Sequence, residues 1–257
     1  MSRSEDVARI AQALAVADEV LARFTPGAID AVQKENGGPL TEADTAVNEA
    51  LAEVLRTGNE GWLSEENVDS KDRLSKARVW VVDPIDGTRE FVNGVPEWCV
   101  SIGLIEHGVP VAGGVLSPPN NQLFLGSDET GVQCNGAPTR TTDTADLIGA
   151  VVLASHSELR RGEWARFAEC SISIRPMGSV AYKLAMVSAG MADATWTLAP
   201  KNEWDIAGGA ALVQAAGGRV FGTKGKQVRF NQANTRLDNV VATTPGLCEQ
   251  VKNLLWP

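Results

Sequence analysis

Val81-Val82-Asp83-Pro84-Ile85-Asp86-Gly87-Thr88-Arg89-Glu90-Phe91 is the stretch on which the reading of this chain turns. It leaves a β-rich run, Val79 to Val82, and delivers two carboxylates three residues apart. Pro84 lies between them and stiffens the turn. Hard divalent cations take oxygen ligands, and a carboxylate pair on a stiff turn supplies them. A helix starting at Gly87-Thr88 would aim its first N–H groups at a phosphate. Taken alone, Asp83-Pro84-Ile85-Asp86-Gly87 fits an ordinary β-turn equally well, so acids elsewhere in the chain decide the matter.

Glu65 follows a short strand, Trp62-Leu63-Ser64, and Asp205 opens a helix that begins Trp204-Asp205-Ile206-Ala207. An acid in a first helical turn complements the helix dipole, and that is the ordinary reading of Asp205. Thr41 and Asp44 fit an N-cap and its N3 acid at the start of a helix whose apolar face is Val47, Leu51, Val54 and Leu55. Together, Glu65, Asp83, Asp86 and Asp205 could converge on two magnesium ions, a pair able to activate water and stabilise the leaving oxygen of a phosphate ester.

Composition narrows the class. With 257 residues, 44% hydrophobic and 21% charged, the chain suits a soluble globular protein of one large domain or two subdomains. Its 23 basic and 32 acidic residues give a net charge of -9, which argues against a nucleic acid polymer or an anionic membrane as partner. A small phosphorylated substrate stays compatible, because bound cations invert the local charge. The polar start, Met1-Ser2-Arg3-Ser4-Glu5-Asp6, is not expected to be a signal peptide. No apolar run approaches the ~20 residues of a membrane span. Cys99, Cys134, Cys170 and Cys248 have no short-spaced pair, so reduced thiols in a cytoplasmic protein are expected rather than a zinc site or disulfides.

Helical periodicity runs from Val7 to Phe24 and stops at Thr25-Pro26-Gly27; Lys34 to Leu40 reads as a polar turn. Trp98–Glu106 and Val109–Leu116 read as a hairpin about His107-Gly108, with shorter strands at Gln122–Leu125 and Gly131–Cys134. A polar stretch, Thr139 to Asp146, is the best internal boundary. Beyond it, strands at Ala150–Ala154, Ser171–Arg175, Ala192–Trp196 and Asn239–Ala242 alternate with helices at Glu163–Cys170, Ser179–Ser188 and Trp204–Ala216, and Pro245 opens a last helix. That rhythm predicts a second sheet covered by helices.

Leu40-Thr41-Glu42-Ala43-Asp44, Leu63-Ser64-Glu65-Glu66, Asp83 through Phe91, and Glu203-Trp204-Asp205-Ile206-Ala207-Gly208 occur in this order. In this combination the chain resembles the inositol monophosphatase superfamily of magnesium-dependent, typically lithium-sensitive phosphatases. The resemblance implies an α/β fold: an α+β N-terminal half (1–143) with most metal ligands, an α/β C-terminal half (144–257) with substrate-binding elements, and a layered α/β/α/β/α sandwich of the inositol monophosphatase/fructose-1,6-bisphosphatase type. It implies two or three Mg2+ ions held by Glu65, Asp83, the Ile85 carbonyl, Asp86 and Asp205. Thr88, held by Asp44, would orient and help deprotonate the attacking water, so Thr88, Asp44 and Glu65 form the expected catalytic set. Asp86 and the backbone N–H groups of Gly87 and Thr88 would meet the phosphate. Members are often dimers, which makes a homodimer an expectation for this chain.

Several details are similar to the 3′(2′),5′-bisphosphate nucleotidase branch, which links the chain to sulfur assimilation. They are Arg89-Glu90-Phe91, Leu63-Ser64-Glu65-Glu66, Lys34 seven residues before Thr41, Gly178-Ser179 with Lys183, and Arg229-Phe230-Asn231-Gln232. A substrate of that kind carries a second phosphate needing its own cation, which Arg89, Lys183 or Arg229 could supply, with Ser179 beside it. Phe230 could stack a base, although an aromatic beside a strand is more often core. Lys201-Asn202-Glu203, in the segment that the resemblance implies shapes the leaving-group pocket, is unusually charged for either branch; His156 could touch substrate but reads more readily as a strand-end polar residue. The expected substrate is 3′-phosphoadenosine 5′-phosphate, giving AMP and phosphate by attack of metal-activated water. The alternatives are inositol 1-phosphate or another sugar phosphate, and a non-catalytic protein that binds a phosphorylated metabolite.

Overall fold

The computed structural model describes residues 2–34 and 38–256. Helix α1 (Arg3–Leu21) starts at a capping box between Ser2 and Glu5. It ends three residues before Phe24, where the chain tightens: the Arg23 and Phe24 N–H groups donate to the Val20 and Leu21 carbonyls, three residues back. Ala31–Gln33 pairs antiparallel with Pro39–Thr41 where a polar turn was expected; the tip of that turn, 35–37, lies outside the described residues. Thr41 then caps helix α2 (Glu42–Leu55).

A seven-stranded sheet follows, in the order Gly61–Ser64, Arg78–Asp86, Cys99–Glu106, Val109–Ser117, Gln122–Ser127, Gly131–Cys134 and Ala137–Thr139. Its first pair is parallel and the rest are antiparallel. His107 (φ 50°) and Gly108 (φ 80°) make the two-residue hairpin turn, both in the left-handed region that such turns need. Successive residues of Arg78–Asp86 face opposite sides: Trp80 and Val82 join the core under α1 and α2, whereas Val79 and Val81 join the core on the far side. The ladder between this strand and Cys99–Glu106 shifts register between Asp83 and Asp86. Pro84 has no N–H to donate there, so the irregularity falls on the acid-bearing turn, and helix α3 (Thr88–Val92) leaves directly from it.

The second sheet has five strands in the order Ser173–Met177, Val151–Ser155, Ala194–Trp196, Val241–Thr243 and Arg219–Phe221. Helix α4 (His156–Arg160) continues its second strand. Helices α5 (Val180–Ser188) and α6 (Glu203–Ala215) lie between the two sheets, in one core with Val81, Phe124, Leu153 and Ala242. Helix α7 (Cys248–Leu255) closes the outer face, where Val251 and Leu255 pack with Trp196. The layers are therefore helix, sheet, helix, sheet, helix.

Glu163–Phe167 is a 3-10 turn, not the α-helix expected to reach Cys170. The tighter winding puts Trp164 and Phe167 on one side, and both rings pack on Trp196. The short strands Ala137–Thr139 and Arg219–Phe221, and α4, have no counterpart in the sequence reading.

The approach of α6 to the first sheet positions the site. A Cβ on Gly208 would stand 2.7 Å from the Ile102 carbonyl oxygen and from Ser101 Oγ, and one on Gly103 would stand 2.7 Å from the Ala207 carbonyl carbon. Only glycine permits that contact, and Asp205 rides on the same helix. Gly208→Ala is expected to lower unfolding free energy by about 1–3 kcal/mol; chemical denaturation measures it, and an unchanged midpoint would count against the close approach.

Candidate active site

Four acids reach one cavity by different routes. Asp83 and Asp86 flank the register shift, Glu65 follows the parallel strand with its N–H 3.3 Å from the Val82 carbonyl oxygen, and Asp205 stands in the first turn of α6. One carboxylate oxygen each from Glu65, Asp83 and Asp205 lies within 4.8 Å of the others. Asp86 lines the same cavity, together with Ile85, Gly87 and Thr88. Gly87 has φ +100°, and a Cβ there would meet the Glu97 carbonyl oxygen at 3.0 Å, so the turn into α3 requires glycine.

Burial, and then the neighbouring charges of Glu65, Asp86 and Asp205, pushes Asp83 well above the usual carboxylate range. Burial, followed by the charge of Asp86, pushes Asp205 up to about 7. Glu65 is raised by burial, while Lys34, whose ammonium lies 2.7 Å from its Oε1, pulls it back down. Neither Asp83 nor Asp205 has an ion-pair partner among the described residues. An all-oxygen donor set of mutually repelling carboxylates, with no His or Cys in the group, fits a hard divalent cation.

Three of the acids are each anchored at a helix N-terminus. Asp44 Oδ2 accepts from the Thr41 N–H (2.8 Å) and hydroxyl (2.6 Å) at the head of α2. Asp205 Oδ2 accepts from the Asn202 N–H at the head of α6 (3.0 Å). Asp86 Oδ2 accepts from the Ala181 N–H (2.6 Å) and Ser179 Oγ (2.6 Å) at the head of α5. Asp44 is thus a capping acid and a site residue at once: its other oxygen lies 3.1 Å from Thr88 Oγ1, which is also 3.0 Å from the Ile85 carbonyl oxygen. Burial raises Asp44 against the lowering pull of its bonds to Thr41 and Thr88.

The remaining expected residues divide. Arg89, Ser179 and Lys183 line the cavity; Arg229 is not among the lining residues. Phe230 is buried in the core, its N–H bonded to the Gly108 carbonyl, and the next two N–H groups, of Asn231 and Gln232, donate to Glu203. Glu203 is itself buried and pushed up to about 7 by that burial. Its place in the charged Lys201-Asn202-Glu203 run is thereby explained, since it ties the C-terminal loop to the head of α6. His156 opens α4 with Nε2 2.7 Å from Glu97 Oε2. Trp204 packs against the central core.

Sequence reasoning passed over Arg160, which lines the cavity, and Glu97. Lys201 stands out in the sequence only as part of an unusually charged run beside the expected leaving-group pocket. The structure puts Arg89, Arg160 and Lys201 around the acids, and none of the three has a hydrogen-bonding or ion-pairing side-chain partner among the described residues.

A sequence profile described as the inositol monophosphatase family matches residues 3–255. Inositol monophosphatase 3 of Solanum lycopersicum is 33% identical over 201 residues, covering 73% of this chain and 75% of that protein. The solved structure of the Thermotoga maritima IMPase superposes with a TM-score of 0.82 at 28% identity, covering 95% of this chain and 94% of that one. CysQ from Bacteroides thetaiotaomicron, described as a bacterial member of the same family, superposes at 0.77 with 25% identity, covering 93% and 97%. Profile, fold and acid-lined cavity agree, and the chain belongs to the inositol monophosphatase family of metal-dependent phosphatases.

Proposed function

We propose that the protein is a magnesium-dependent phosphomonoesterase that hydrolyses a small phosphate ester directly with water. The observation that carries this reading is the convergence of Glu65, Asp83 and Asp205 within 4.8 Å, beside Asp86 and the Thr88–Asp44 pair. Glu65, Asp83, Asp86, Asp205 and the Ile85 carbonyl would hold magnesium, which when bound offsets the ester's negative charge and acidifies water. Thr88 can donate its one hydroxyl hydrogen to Asp44, leaving its oxygen to accept a hydrogen bond from water in the cavity; a proton taken from that water would pass through the hydroxyl to the Asp44 carboxylate. The N–H groups of Gly87 and Thr88 supply donors for the phosphate oxygens. Cys99, bonded to Ser179 Oγ, is buried and its thiol is pushed well up, which suits it poorly as a nucleophile and favours direct attack by water.

The favoured substrate class is a nucleotide with a second phosphate, of the 3′-phosphoadenosine 5′-phosphate type. Arg89, Arg160 and Lys201 support it: three cations at one cavity, with no acid in ion-pairing reach among the described residues, match a dianion beyond the scissile ester. Inositol 1-phosphate is the competing substrate. The names of the relatives favour it, as does the lack of an aromatic ring among the described lining residues to stack a base.

Asp83→Asn is expected to cut phosphate release by on the order of 10²–10³, and exhaustive EDTA to abolish it; activity surviving both would refute the metal mechanism. Stability gives a check without turnover. Asp44, Glu65, Asp83 and Asp205 are raised in the folded state, so the stabilisation they provide is complete below their unfolded values and is lost as pH rises through about 7, the value for Asp205. In EDTA, Tm should therefore fall across that window, and Mg2+ should raise Tm more at pH 8 than at pH 5.5, because protons compete for the same oxygens. Parallel melting curves with and without Mg2+ would contradict the assignment. Arg160→Ala should lower kcat/KM about tenfold more for the bisphosphate nucleotide than for inositol 1-phosphate; equal loss on both would favour the sugar phosphate.

A further inference from the structure

We infer that Lys183 and Glu97 are positioning residues for the metal centre, locking the Met177-Gly178-Ser179 turn from its two sides so that the turn fixes Asp86. The inference rests on the metal-dependent reading of the site.

The Lys183 side chain is only 1% exposed, and its ammonium has no carboxylate in ion-pairing reach among the described residues. Instead it donates to three consecutive carbonyls, those of Met177 (3.2 Å), Gly178 (3.2 Å) and Ser179 (2.7 Å). A buried ammonium has three protons to satisfy, and this turn satisfies all of them. A substrate phosphate could claim Lys183 only by taking it from those carbonyls. The structure thus gives the residue a task other than the substrate contact expected from sequence.

Glu97 holds the opposite side of the turn. Its Oε2 accepts from the Gly178 N–H at 2.7 Å, a charge-assisted bond, and lies 2.7 Å from His156 Nε2. The turn has no slack, since a Cβ on Gly178 would stand 2.6 Å from Glu90 Cγ and 2.9 Å from the Glu97 carbonyl oxygen. Ser179 sits at φ 49°, a conformation a non-glycine residue keeps only where its surroundings hold it.

The held turn acts on one atom. Ser179 Oγ and the Ala181 N–H both donate to Asp86 Oδ2, each at 2.6 Å. Ser179 Oγ in turn accepts from the Tyr182 N–H, and its hydroxyl proton is committed to Asp86, so the Cys99 thiol is the donor in the 3.3 Å contact between them. Asp86 Oδ1 has no protein donor among the described residues and is the oxygen left for a cation. Partners that orient a ligating carboxylate are worth roughly 10–100-fold in metal affinity.

Calorimetric titration of Mg2+ into the substrate-free full-length protein tests the clamp. Glu97→Ala is expected to weaken Mg2+ binding about tenfold or more, while Glu97→Gln, which keeps an acceptor for the Gly178 N–H, should stay within about threefold of wild type. Lys183→Met should follow Glu97→Ala; should it fail to fold, the Glu97 pair decides alone. Phosphate release from 3′-phosphoadenosine 5′-phosphate and from inositol 1-phosphate should fall by equal factors in Glu97→Ala. Unaltered Mg2+ affinity in Glu97→Ala would overturn the inference, as would a loss confined to the bisphosphate. A wild-type protein that binds Mg2+ yet hydrolyses neither ester would refute the proposed function, with the clamp still judged by the titration. A wild-type protein that takes up no Mg2+ would overturn both.

Discussion

Several carboxylates crowded into one poorly solvated space repel one another, and the surrounding architecture exists to hold them there. Asp83 is fully enclosed and Asp205 half-buried, and neither has a basic partner in ion-pairing reach among the described residues. Much of the counterforce comes from the backbone. Asp44, Asp86 and Asp205 each give one oxygen to the N-terminus of a different helix, α2, α5 and α6, where unpaired N–H groups and the helix dipole favour negative charge. The second oxygen of each is then turned away from the helix head, that of Asp44 onto the Thr88 hydroxyl. An acid that looks like a cap and an acid that looks catalytic are, in this fold, the same residue.

The layered arrangement follows from that requirement. Helix α6 belongs to the C-terminal half of the chain, yet it packs on the first sheet through facing glycines, so that Asp205 can meet Glu65 and Asp83. The break in the Arg78–Asp86 ladder turns Asp83 and Asp86 toward it, and Pro84 sets that break where no ladder donor is needed. Neither half of the chain contains the site alone.

Features encoded locally are legible in the sequence. The periodicity of α1 and α2, the His107-Gly108 hairpin and the strand–turn–helix run around Asp83 each lie within a few neighbouring residues. The acid cluster is legible because the motifs that carry it are distinctive, although nothing local says that Asp205 crosses to the other sheet. What sequence does not reveal is direction and long-range pairing. Lys183 reads as a free cation, but its ammonium turns back onto the carbonyls preceding its own helix. Phe230 reads more readily as core than as a stacking surface, and tertiary packing makes it core. Glu97 meets Gly178 across 81 residues, a contact no periodicity encodes. The 3-10 turn at Glu163–Phe167 departs from the expected helix because three aromatic rings, Trp164, Phe167 and Trp196, choose the tighter winding.

The cavity's two kinds of residue differ in how much of the fold depends on them. Its acids are bound into helix heads and a sheet irregularity, where a substitution disturbs the fold, whereas Arg89 and Arg160 extend from exposed positions that cost the scaffold little to alter. Such a division confines a change of leaving group to side chains at the rim, which can be exchanged with the acid cluster left standing.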